Sequence, residues 1–257
     1  MNSVHREHPR TDDTPTLPDR FQRLLRVPAL PLFKRRWDLR IHHAERVPAD
    51  GPVILAPNHV GWLDGPLLVG TAPRPVHAMV KLEEFDGRFG PVMVANGQIP
   101  LDRFNVDMLA VKLAVRLLRE GRVVAIYPEG ARGEGDARYV KRGWAYLAMV
   151  TGATIVPVAT FGTRLAGESI EVKPPAGRRI DVVYGEPVPV DAVPWPRRAT
   201  DVRELTEHLQ NVLSTHIAQS AQMCGAAATR AAPDGEGPEP GSIGITNHIH
   251  PDGGTAP

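Results

Sequence analysis

Unbroken apolar runs and helically spaced apolar positions alternate along most of this chain. Residues 53–56, 123–126 and 154–159 are short, almost wholly apolar runs bounded by turn-forming residues. Runs of that kind suit the inner strands of a parallel sheet, where both faces are buried. Weaker strand signals fall at 39–43, 76–80 and 98–101, and at 179–184, which is placed nearer an edge. Between them, Val106, Leu109, Leu113 and Leu117, with Ala110 and Ala114, recur at helical spacing. Asn105 is read as the N-cap of that helix and Gly121 as its C′ residue. Shorter helices are expected at 66–70 and 145–150, and two helical pieces split at Gly90-Pro91 within 81–97. A terminal amphipathic helix over 200–223 turns Val202, Leu205, Leu209, Val212, Leu213 and Ile217 to one side. Strands alternating with helices predict a single α/β domain over 38–224, with a mostly parallel central sheet flanked by helices.

The two ends have a different character. Residues 1–18 are polar and proline-bearing, and disorder is expected there. Residues 19–37 form a basic amphipathic arm. Arg20, Arg23, Arg26, Lys34, Arg35 and Arg36 alternate with Phe21, Leu24, Leu25, Leu30, Leu32 and Phe33. Pro28 and Pro31 are expected to split it into a short helix and an extended piece. Its pattern suits a membrane-surface contact, and equally a helix packed on the domain with a solvated basic face. The tail from 225 to 257 holds seven glycines and five prolines. Such a stretch cannot bury a core and is read as disordered.

Composition narrows the class further. The net charge of +1 gives no global field for nucleic acid. One cysteine, Cys224, excludes an internal disulfide and fits a reducing compartment. No apolar run approaches the ~20 residues of a membrane span, and no apolar leader opens the chain. No clustered metal-ligand set appears; His248 and His250 have His-x-His spacing, but in a stretch read as disordered.

The chemistry concentrates where the run 53–56 ends, in Pro-Asn-His-Val-Gly-Trp-Leu-Asp-Gly-Pro over 57–66. A strand passing through a glycine-bearing polar turn into a helix is where α/β proteins place functional side chains. His59 can take a proton near neutral pH, and a carboxylate on its other nitrogen fixes the tautomer. Asp64 lies five residues on, and Gly61 and Gly65 permit the backbone to fold back. Taken alone, the pair reads first as a turn-satisfying His and a helix-capping Asp. Two further loops follow strands. One carries Asp102 and Arg103, the other Glu129, Gly130 and Arg132. In a parallel sheet these loops share one crevice with His59, and two guanidinium groups there suit a phosphate. Each arginine alone reads as a solvated surface charge.

At these loops the sequence resembles the glycerolipid acyltransferase family that includes the 1-acyl-glycerol-3-phosphate acyltransferases. Four ordered blocks over residues 37–190 carry the likeness. Asn58, His59 and Asp64 match N-H-x4-D; Gly97, Ile99, Asp102 and Arg103 match G-x-I-x-x-D-R. Tyr127-Pro-Glu-Gly-Ala-Arg-Gly matches F-P-E-G-T-R-S, and Ile155-Val-Pro-Val matches I-V-P-V. Lys81-Leu-Glu-Glu-Phe is similar to K-x-E-L-F. The departures are Pro100, and Ala131 and Gly133, which remove two hydroxyls. The resemblance implies acyl transfer from an acyl thioester, acyl-CoA or acyl-ACP, to a hydroxyl of a lysophospholipid. 1-Acylglycerol-3-phosphate going to phosphatidic acid heads the acceptors; glycerol-3-phosphate, another lysolipid, a glycolipid, or non-catalytic lipid or CoA binding on the same fold are the alternatives. His59 is implied as general base, oriented by Asp64. Lys81, Arg103 and Arg132 are implied on the acceptor phosphate, with Glu129 and Gly130 shaping that site. No cofactor or metal is implied. A peripheral protein on the cytoplasmic side of the cell membrane follows, with the 19–37 arm as its contact.

Overall fold

The structure is a computed structural model and describes residues 8–225, apart from the side chains of 25–27. Seven strands form one sheet: β1 (Asp38–His42), β2 (Val53–Pro57), β3 (Val76–Lys81), β4 (Ile99–Leu101), β5 (Val123–Ala125), β6 (Thr154–Phe161) and β7 (Arg179–Tyr184). Their order is β1-β7-β6-β2-β5-β3-β4. Every pairing is parallel except β6 with β7, so β1 and β7 run against the other five. The expected α/β class holds. β2 sits at the centre with all five residues buried, which is why it reads as an unbroken apolar run.

Helices cover both faces. Ile54 and Ala56 point into a core closed by α4 (Met108–Arg119), α5 (Gly143–Thr151) and α6 (Ala199–Cys224). Val53 and Leu55 point the other way, toward α1 (Arg20–Arg36) and α2 (Asp64–Thr71). The short α3 (Gly90–Ala95) lies between β3 and β4. Because β2 to β6 are parallel, the segments leaving their carboxyl ends gather on one edge of the sheet.

Three expectations are corrected. α1 is a single helix that runs through Pro28 and Pro31. Each proline removes one amide donor, and Pro28 lies on the exposed side of the helix with Leu24, the residue four before it. Packing supplies what propensity lacks. Phe33 presses on α2 where a Cβ on Gly70 would stand 2.6 Å from its ring. At the other end the buried Gln22 amide donates to Val76 O and accepts from Val76 N, both near 2.9 Å. Residues 8–18, expected to be disordered, lie along α4. Arg119 donates to Pro9 O (3.0 Å), Arg122 to Leu17 O (2.8 Å), and Arg116 to Thr14 O and Thr16 Oγ1. Guanidinium forks hold this segment by its backbone, so an apolar pattern was not needed. Finally, Asp107, rather than Asn105, caps α4, accepting from Ala110 N at 2.9 Å. Asn105 donates to Asp102 instead, and Val106 and Leu109 stay exposed while Ala110, Leu113, Ala114 and Leu117 are buried. Residues 1–7 and the tail from 226, with His248 and His250, lie outside the described residues.

At the β1 edge, His42 and Arg179 both donate to Asp181, and Cys224 closes against the same carboxylate. Ligand-type atoms of His42, Asp181 and Cys224 lie within 4.8 Å of one another. Arg179 already engages both Asp181 oxygens, at 2.7 and 3.1 Å, so this is a structural network anchoring the end of α6. Burial pushes the Cys224 thiol up, which keeps it in the unreactive form.

Candidate active site

Asn58 fixes the exit from β2. Its side chain is 1% exposed, donates to Gly135 O and Thr160 O, and accepts from Thr160 N at 2.8 Å. The chain then turns through 59–63 and enters α2, whose first residue is Asp64. Asp64 folds back over that turn. Its Oδ2 accepts from His59 Nδ1 (3.0 Å), Val60 N (2.7 Å) and Gly61 N (2.8 Å), and its Oδ1 accepts from Thr163 Oγ1 (2.6 Å). A carboxylate only accepts, so Nδ1 of His59 carries the proton and Nε2 is left as the basic atom. Asp64 is completely buried at its side chain, while the His59 side chain keeps 21% exposure, so the base faces solvent and its partner does not. The Tyr127 ring lies against the imidazole, centroids 4.2 Å apart.

The loop after β5 is closed onto this turn. Glu129 Oε1 accepts from His59 N (3.1 Å), and Gly133 N donates to His59 O (2.9 Å). Burial pushes the Glu129 carboxyl up to about 8, helped by the charges of Asp136 and Asp64 and opposed by the His59 and Gly135 amides. Near neutral pH Glu129 is therefore largely protonated, and it holds backbone. Gly130 adopts φ +76°, and a Cβ there would stand 2.6 Å from Lys141 Cε. The half-buried Lys141 crosses that glycine. Its ammonium is pulled down by burial and by the neighbouring Arg103 cation. Arg103 lies over the Phe104 ring at 5.7 Å, with its Nε buried and unpartnered. Among the described residues neither Arg103 nor Lys141 is in an ion pair, so two like charges sit together unneutralised.

The other predicted residues are placed differently. Arg132 donates to Ile170 O (3.1 Å) and Glu171 Oε1 (2.9 Å), in the segment between β6 and β7. Lys81 pairs with Glu84 at 3.0 Å. Asp102 is occupied by the turn, accepting from Phe104 N, Asn105 N and Asn105 Nδ2. Three residues escaped the sequence reading: Thr163, Lys141, and Arg164, which is 3% exposed and donates to Gly133 O. Thr163 and Arg164 do follow an apolar strand closely, the same signal that singled out Asp102-Arg103.

The chain was compared with known proteins against this geometry. Residues 38–160 match the Acyltransferase family model. The 1-acyl-sn-glycerol-3-phosphate acyltransferase of Bacillus subtilis is 32% identical over 159 residues, which is 61% of this chain and 77% of that protein. This chain belongs to the acyltransferase family.

The Borreliella burgdorferi protein of the same description is 31% identical over 124 residues, 47% of this chain and half of that protein. The fold is also that of the crystal structure of the 1-acyl-sn-glycerophosphate (LPA) acyltransferase PlsC from Thermotoga maritima. That match has a TM-score of 0.61 at 18% identity and covers 81% of each chain. Three of the four blocks follow the carboxyl ends of β2, β4 and β5, while the fourth lies within β6, paired with β2. Tyr127 stands where the family pattern has phenylalanine, and its extra hydroxyl is buried without a partner. Burial and the nearby Asp64 hold that phenol well above its ordinary range. An unpartnered buried hydroxyl costs about 1–3 kcal/mol. Tyr127→Phe keeps the ring against His59 and is expected to raise the melting temperature by about 2–12 °C; a lowered melting temperature would mean that the hydroxyl has a partner.

Proposed function

We propose that this acyltransferase moves a fatty acyl group from an acyl thioester, on coenzyme A or acyl carrier protein, to the free hydroxyl of 1-acylglycerol-3-phosphate, giving phosphatidic acid. The observation that carries this reading is the His59–Asp64 pair, with Nε2 open, on a turn held by Glu129, whose neighbour Gly130 is crossed by Lys141 next to Arg103. Nε2 takes the hydroxyl proton while Asp64 stabilises the imidazolium. The alkoxide attacks the thioester carbonyl; the tetrahedral oxyanion collapses, the carbon–sulfur bond breaks, and the imidazolium returns its proton to the leaving thiolate. The amides of His59, Val60, Gly61 and Gly133 are already taken by Glu129, Asp64 and the His59 carbonyl, so oxyanion donors must come from elsewhere. Arg103 and Lys141 face the acceptor phosphate, which relieves their mutual repulsion. Arg132, held on Glu171, frames the loop after β5.

Purified protein given palmitoyl-CoA is expected to release thiol only when lysophosphatidate is present. Release with glycerol-3-phosphate or another lysolipid, but not with lysophosphatidate, would replace the acceptor; Ala131 and Gly133, which lack the family's hydroxyls, are where such a change would originate. Free fatty acid in place of a new ester would make the enzyme a hydrolase. Lys141→Gln is expected to raise the acceptor KM about tenfold or more, as for the loss of one charge-assisted hydrogen bond, with little change in kcat. An unchanged acceptor KM would remove Lys141 from the site.

A lipid acceptor is met at a bilayer. No helix among the described residues is long and apolar enough to cross a membrane. We place the protein peripherally on the cytoplasmic face, docked through α1. Its Leu24 and Leu32 are 72% and 64% exposed, while Phe33 and Leu30 pack inward, so the outer face keeps both apolar and basic groups. Changing Arg20, Arg23 and Arg26 together to Gln is expected to weaken binding to anionic vesicles about a hundredfold at low salt, each basic residue near the surface being worth roughly 1 kcal/mol. Undiminished binding would exclude α1 as the contact.

A further inference from the structure

The two oxygens of Asp64 have different partners. Oδ2 serves the His59 turn, and Oδ1 serves Thr163, whose hydroxyl donates across 2.6 Å. Thr163 is wholly buried and Asp64 is 1% exposed. The distance falls among short charge-assisted hydrogen bonds. Thr163 belongs to none of the four motif blocks; it reaches the site because of how β6 ends. Gly162 turns at φ +87° against β7, where a Cβ would stand 2.2 Å from Arg179 O, so the loop is locked at its first residue. Gly61 then packs so closely on Thr163 that a Cβ would lie 3.0 Å from Oγ1. Arg164 follows and donates to Gly133 O, and Gly133 N donates to His59 O. Residues 163 and 164 therefore brace the base from two sides.

We propose that Thr163 is a positioning residue of the reaction, acting through Asp64. Its hydroxyl stops the carboxylate from rotating, which keeps Oδ2 on Nδ1 of His59. It also draws negative charge toward Oδ1, which limits how tightly Asp64 holds the imidazolium. Without the hydroxyl that charge concentrates on Oδ2, the protonated ring is over-stabilised, and the free base is scarcer at low pH. The proposal rests on the acyl-transfer reading for its kinetic consequence.

The test compares Thr163→Val, which preserves shape, with Thr163→Ser, which preserves the hydroxyl. The valine variant is expected to lose about tenfold in kcat, as for one charge-assisted hydrogen bond, with the acyl-donor KM within about twofold. The acid limb of its kcat/KM profile should move to higher pH, and serine should restore both. A purely structural threonine would lower the melting temperature and leave that limb in place, and an unmoved limb overturns the proposal. If the valine variant does not fold, the wild-type protein still decides the matter. A buried hydroxyl proton held across 2.6 Å should give a slowly exchanging proton resonance that the serine variant shifts; rapid exchange overturns the proposal. Following the imidazole Cε1–H resonance against pH needs no substrate. A wild-type protein inactive on every acceptor would sink the acyl-transfer reading, and the ring titration would still judge Thr163.

Discussion

His59→Ala is expected to lower kcat/KM about 10³-fold or more while leaving the protein folded. The two consequences separate because the ring and the backbone of residue 59 have separate partners. The ring makes one side-chain hydrogen bond, to Asp64, and lies against Tyr127. The backbone is held by Glu129 on its N–H and Gly133 on its carbonyl, and alanine keeps both. Asp64 loses one donor and retains Val60 N, Gly61 N and Thr163 Oγ1, so its charge stays satisfied. The stability cost should be about 1 kcal/mol, a few degrees of melting temperature at this size. The chemistry has no such reserve, because no second imidazole stands in this turn and the neighbouring carboxyl, Glu129, is committed to backbone amides. Thiol release measured beside thermal melting makes the distinction. Retention of a tenth of the activity in a well-folded variant would move the base to another residue.

The same contrast explains how much of this molecule was legible in its sequence. β2, β5 and β6 are buried on both faces, and two-sided burial writes itself into the chain as an unbroken apolar run. The His59–Asp64 pair was legible because a tight turn places residues five apart in contact, so the chemistry is local. What stayed hidden is long-range. Thr163 is 99 residues from Asp64, and Gly130 meets Lys141 through a φ value that sequence does not display. α1 misled because Pro28 and Pro31 argue locally against a helix that Gln22 and Phe33 hold by tertiary contact. Residues 8–18 misled because their partners are arginines on and just after α4, which leave no apolar signature in the segment they bind. Arg132 was legible as a cation of the loop after β5, but its partners Ile170 O and Glu171, 38 and 39 residues on, were not.

Asp64 presents the sharper experiment, because two substitutions at one atom group should fail in different ways. Asp64→Ala leaves Val60 N, Gly61 N, His59 Nδ1 and Thr163 Oγ1 without their common acceptor, at a site only 1% exposed. Losing a shared acceptor for several buried donors costs about 3–5 kcal/mol, about 10 °C of melting temperature, and activity falls with the turn. Asp64→Asn can keep the architecture. With its carbonyl oxygen at the Oδ2 position it accepts from the same three nitrogens, and its amide then faces Thr163, whose hydroxyl rotates to accept. The stability loss should be about 1–2 kcal/mol, the difference between charge-assisted and neutral bonds. Activity should nonetheless fall by about 10²-fold or more, since a neutral amide does not stabilise the imidazolium. The flipped amide would set its NH2 against two backbone N–H groups and forfeit the turn, so an asparagine variant as unstable as the alanine one would report that orientation. A stable asparagine variant with unimpaired turnover would mean that Asp64 holds the turn and takes no electrostatic part in catalysis. A stable variant with little activity, its loss carried in kcat, would place the charge of this buried carboxylate in the chemical step itself.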